Sequence, residues 1–141
     1  MALAIAVVGL SRCTADGDAR LGARIAAEVQ RGDGTELRMQ DLASFEWTRL
    51  YIFRPYSMPE EIERELVFTW PEGRLVHMES RDDATLLVFV KGNEVQRHLA
   101  HKRGQGDFAE LGQPGGYSRA DAVFRVHLED GWPRLRRIRA G

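Results

Sequence analysis

Leu86-Leu87-Val88-Phe89-Val90-Lys91-Gly92-Asn93-Glu94-Val95 is the stretch on which the fold turns. Five consecutive apolar residues leave no polar face, so a strand made of Leu86 to Val90 must be covered on both sides. Lys91-Gly92-Asn93-Glu94 supplies a tight turn, and Val95 to Ala100 returns with one apolar face through Val95 and Leu99. That pattern predicts an antiparallel hairpin with its first strand inside the sheet.

Working outward, Leu50 to Phe53 is apolar on both faces and predicts a second interior strand. Glu36 to Leu42 alternates polar and apolar residues, as does Ala122 to Leu128, so each predicts a strand with one buried face. Two amphipathic helices are expected. The first covers 17–31, with Leu21, Ile25 and Val29 as its stripe, and Gly32-Asp33-Gly34 ends it. The second covers 58–67, opening at Ser57-Met58-Pro59-Glu60 as a capping box, with Met58, Ile62 and Leu66 buried. Early helices followed by mostly hairpin-linked strands imply an α+β domain over residues 13–141. Its core is an antiparallel sheet of about four to six strands with two helices packed on one face.

The 141 residues suit one domain, and 43% hydrophobic content builds a core without staples. A net charge of −1 argues against a nucleic-acid binder, and the short basic run Pro133 to Arg139 reads as a solvated terminal strand or tail. One cysteine excludes an intrachain disulfide. It follows the charge-free run Ala2 to Leu10, which is too short to span a bilayer but has the length of a signal-peptide core. Residues 1–12 therefore read as a signal-like segment and Cys13 as a lipidation site; the other reading makes Ile5 to Leu10 a buried first strand.

Candidate chemistry is sparse. His98 and His101 would face opposite sides of a strand, His77 and His127 stand alone, and no metal site is expected. No serine has a nucleophile-elbow pattern, and no catalytic residue or cofactor is assigned. The cluster Glu60, Glu61, Glu63 and Glu65 reads as a solvated helix face. Trp47, Arg49, Tyr51, Arg54 and Tyr56 are of the types that anchor interfaces. The glycine-rich stretch His101 to Ser118 lacks the lysine and hydroxyl of a phosphate loop; it reads either as a functional loop, part of the partner-binding surface with Trp47 to Tyr56, or as a connection pinned to the core through Phe108 and Leu111. The partner-binding residues expected are Trp47, Arg49, Arg54, Tyr56, Arg103 and Asp107.

Leu10-Ser11-Arg12-Cys13 resembles a bacterial lipoprotein cleavage box, although Arg12 stands where a small residue is usual. Phe45 to Tyr56, the acidic helix after it, His101, Arg103, Gly106-Asp107-Phe108 and Ala122-Val123-Phe124 resemble small uncharacterised bacterial cell-envelope lipoproteins. That resemblance implies a lipid-anchored protein on the periplasmic side of the envelope, with no established activity. Such a non-enzymatic module would bind another envelope protein, for example as an inhibitor or immunity protein. Ile5 to Leu10, a helix, Glu36 to Leu42 and Tyr51 to Tyr56 also look like the opening of a flavodoxin-like flavin reductase, which implies flavin binding, a parallel sheet and a cytoplasmic location.

Overall fold

The computed structural model describes residues 15–138. Cys13, the run 2–10 and the signal-like reading of 1–12 lie outside the described residues. In chain order the elements are α1 (Ala19–Val29), β1 (Glu36–Arg38), α2 (Met39–Leu42), β2 (Arg49–Phe53), α3 (Pro59–Leu66), β3 (Ala84–Lys91), β4 (Glu94–Lys102), β5 (Tyr117–Ser118), β6 (Val123–Glu129) and β7 (Trp132–Arg137). Short 3₁₀ turns occupy Pro71–Val76, Met78–Ser80 and Arg103–Gln105.

The protein is α+β, and its named strands pair antiparallel in two sheets. The larger has the order β4-β3-β2-β5 and the smaller β1-β6-β7. Seven successive residues of β3, Ala84 to Val90, are buried. Its side chains alternate between two core clusters. Leu87 and Phe89 join Leu21, Ile25 and Val29 of α1, Leu37, Phe124, Val126 and Leu135 of the smaller sheet, and Phe108 and Leu111. Leu86, Val88 and Val90 join Ile62 and Leu66 of α3, with Trp70, Val76 and Met78.

This arrangement refines the one-faced packing expected of the helices. Because β3 is apolar on both sides, each side needs its own cover: α1 and the smaller sheet take one face, α3 and the 3₁₀ turns the other. The strands also number more than the single sheet expected, since the second sheet supplies part of that cover.

Local details follow from where hydrogen bonds can be completed. α1 is capped by Asp18, whose carboxylate accepts from the Leu21 N–H at 3.0 Å. The strand expected over 36–42 stops at Arg38. Met39 donates to Ala122 O just before β6 begins, and with no partner strand further on the backbone bonds to itself, Ala43 N–H to Met39 O. The cap of α3 falls one residue later than expected. Glu61 reaches back to accept from Met58 N–H at 2.9 Å, while the Ser57 hydroxyl donates to Arg54 O at 2.7 Å.

β-branched Val67 closes α3 in the left-handed region, with φ 67°, and is 79% exposed. A side chain there is crowded against its own backbone and gains little from burial. We expect Val67→Gly to raise the denaturant midpoint, by about 0.5–1 kcal/mol of stability. An unchanged or lowered midpoint would show that the turn carries no strain.

Candidate functional site

β5 covers β2 only at Arg49 and Leu50. Beyond Leu50 the edge of β2 faces the loop 109–114 instead of a strand, and a cleft of about 420 Å³ opens there. Tyr51, Ile52, Phe53, Arg54 and Ser57 line one side, Glu61 and Glu65 of α3 a second, and Ala109 to Pro114 the third. The rings of Tyr51 and Phe53 stack with centroids 6.4 Å apart. Among the described residues, the Arg54 and Glu65 side chains have no ion-pair or hydrogen-bond partner.

The loop wall is held rather than loose. The Tyr117 hydroxyl donates to Leu111 O, and Gln113 Nε2 donates to Gly116 O at 2.8 Å. Arg137 donates to Gln113 Oε1 at 3.0 Å, and Arg134 meets Glu110 at 2.6 Å. Gly112 lies so close to β2 that a Cβ on it would sit 2.9 Å from Ile52 O. The wall is therefore in place before anything binds, which lowers the ordering cost of association.

The residues singled out by sequence divide into three groups. Arg54 lines the cleft; Arg49 does not, and donates to Gly115 O at 3.1 Å. Tyr56 is 58% exposed but does not line the cleft. Trp47 is 2% exposed, so it does not belong to the binding surface expected of it. Its indole N–H donates to Ala43 O at 3.0 Å, its ring meets Phe89 edge-on at 5.1 Å, and Arg119 lies over it. An aromatic next to a two-sided strand is drawn into the core.

Asp107, 1% exposed, is likewise interior. Arg103 Nε and Nη2 grip its two oxygens at 3.1 Å each, Trp132 Nε1 donates at 2.7 Å, and Ala109 N–H donates at 3.0 Å. The backbone of Asp107 bonds to Pro133 and Leu135 around β7. Asp107 and Arg103 thus act on the cleft indirectly, by fixing where the loop 109–114 starts. Glu61 and Glu65 line the cleft although sequence reads them as a solvated helix face, and Gln113 lies in the 101–118 stretch without being singled out there. The four-residue spacing of Glu61 and Glu65 put both on one helix face, but nothing local showed that a loop fifty residues on would face them.

His101 is buried, and burial pushes its pKa down against the opposing effect of its bond to Gln105 O. Its separation from His98 onto the other side of β4 is as the strand spacing implies. Among the described residues no three His, Cys, Asp or Glu side chains come together to hold a metal, and no helix is long and apolar enough to cross a membrane. The antiparallel pairing of β2 with β3 and β5 is not the parallel arrangement that the flavodoxin-like resemblance implies. Comparisons with protein-family models, with curated proteins and with solved structures found no match.

Burial alone would raise the Asp107 pKa, but the bonds from Arg103, Trp132 and Ala109 outweigh it and hold the carboxyl below its ordinary value. A depressed folded pKa means this stabilisation is complete above the unfolded value of about 4 and is lost as pH falls through the folded value. We expect Asp107→Asn to cost about 2–3 kcal/mol at pH 7, the Arg103 end being partly solvated, and to flatten the loss of stability below about pH 4. Urea unfolding at pH 7 and pH 3 measures both; an unchanged acid limb would remove Asp107 from this role.

Proposed function

We propose that the protein is a non-enzymatic binding module of the bacterial cell envelope, anchored by lipid at Cys13, which holds an extended segment of a partner protein in the cleft beside β2. The observation that carries this reading is the convergence of two distant stretches, Tyr51 to Ser57 and Ala109 to Pro114, on one walled cleft. The cleft takes an extended segment along the end of β2, past the point where Gly112 closes on Ile52 O. Tyr51, stacked on the buried Phe53 ring, offers apolar area, and Glu61 and Glu65 favour a basic side chain on the incoming segment. The envelope half of the proposal rests on the resemblance of Leu10 to Cys13 to a lipoprotein cleavage box.

The test uses full-length protein made in a bacterial host and isolated from detergent-solubilised membranes. Proteins retained by the wild type are compared with those retained by Arg54→Ala/Glu65→Ala and by Arg31→Ala, a change in the exposed turn after α1. We expect the cleft variant to bind its main partner at least about tenfold more weakly, with an unchanged melting temperature, and Arg31→Ala to bind normally. Equal retention by all three would exclude the cleft as the binding surface.

A further inference from the structure

At the opposite edge of the larger sheet from the cleft, a second concavity of about 600 Å³ lies between α1 and the edge strand β4. Ala19, Gly22, Ala23 and Ala26 of α1 form one wall, and Leu99 and His101 of β4 form the other. Small side chains on a surface helix are ordinary. A half-satisfied histidine and a helix glycine set this groove apart.

His101 is 2% exposed, and burial holds the imidazole neutral by pushing its pKa down. Its Nε2 lies 2.9 Å from Gln105 O; a carbonyl oxygen can only accept, so the ring proton sits on Nε2. Nδ1 is then a bare acceptor, and it has no hydrogen-bond partner among the described residues. It points towards α1, where a Cβ on Gly22 would lie 3.8 Å from it. The Thr85 hydroxyl, directly across on β3, is buried without a partner of its own, so it does not supply the missing donor. Leaving a buried acceptor without a donor costs stability, and a molecule in the groove can complete it.

Gly22 sits inside α1 in ordinary helical conformation. Alanine is the better helix former there, and packing does not exclude it. A Cβ would meet Leu99 at 3.5 Å and His101 at 3.8 Å, both ordinary contacts. What the absent Cβ leaves open is the approach to Nδ1. Charge at the rim is balanced. Asp16 and Asp83 share Arg81, at 2.7 and 3.0 Å, and Lys102 acts on Asp83 through space. Two acids against two bases leave no net charge to draw an ion, so the groove suits an uncharged ligand.

We propose that the groove between α1 and β4 binds a small uncharged ring compound bearing a hydroxyl, which lies on the alanine wall and donates its O–H to His101 Nδ1. A wall of methyl groups and one glycine is flat on the scale of a ring, and a single buried acceptor fixes which way the ring lies. This site is separate from the cleft beside β2 and does not rest on the partner-binding reading.

The probes are phenol and fluorobenzene, which match in size while only phenol donates. Full-length, isotopically labelled protein is titrated with each at about pH 7.5, where phenol keeps its proton. Amide resonances of Gly22 and Ala23 give the affinity, and the His101 Nδ1 resonance reports whether that nitrogen accepts a hydrogen bond. We expect phenol to bind with a Kd of about 1 mM or tighter, to shift Nδ1, and to bind at least about tenfold more tightly than fluorobenzene. Gly22→Ala puts a methyl group beside Nδ1 and favours the helix. It should keep or raise the melting temperature while weakening phenol at least about fivefold. An Nδ1 resonance that phenol leaves in place would overturn the site. So would fluorobenzene binding as tightly as phenol, or undiminished binding to Gly22→Ala.

Discussion

Burial of both faces of β3 is the constraint from which the rest of the architecture follows. Ala84 to Val90 have no exposed side, and each large apolar side chain removed from water contributes about 1.5–3 kcal/mol. Such a strand needs partners along both edges for its backbone and cover above and below for its side chains. β2 and β4 supply the edges. α1 with the three-stranded sheet supplies one cover, and α3 with the 3₁₀ turns the other. With both faces spent on packing, the outer edges of the four-stranded sheet are left for other work. One is closed by the entry segment at Gly17, and the other is only half closed by β5.

How much of this was legible in sequence depended on the range of the interaction that decides each element. The hairpin of β3 and β4, the amphipathic stripe of α1 and the alternation in β6 are written in neighbouring residues, so pattern alone located them. Three features were decided elsewhere. The strand from Glu36 ended early because β6 stops supplying partners at Val123. The helices took opposite faces because β3 is two-sided, which a helix's own periodicity does not encode. The basic stretch after Trp132 became β7 because Pro133 and Leu135 find the core, while Arg134 and Arg136 reach Glu129.

The candidate site shows the same division. Arg54 was legible because a polar residue directly after an apolar strand lies at its exit. Trp47 and Asp107 were misplaced on the surface for one reason: residue type marks what a side chain can bind, not how deeply it sits. Trp47 found the core beside Phe89, and Asp107 became affordable inside only because Arg103, Trp132 and Ala109 all point at it. Its effect on the cleft passes through the backbone, from the buried carboxylate to Ala109 and along the loop to Gly112.

The central claim is that this loop and the open edge of β2 form the surface that meets a partner. A photoreactive amino acid at Gln113, inside the cleft, and the same group at Arg31, in the exposed turn after α1, test it directly in living bacteria. The account predicts a discrete crosslinked protein from position 113 and none of that mass from position 31. The same product from both positions, or none from position 113, would contradict it.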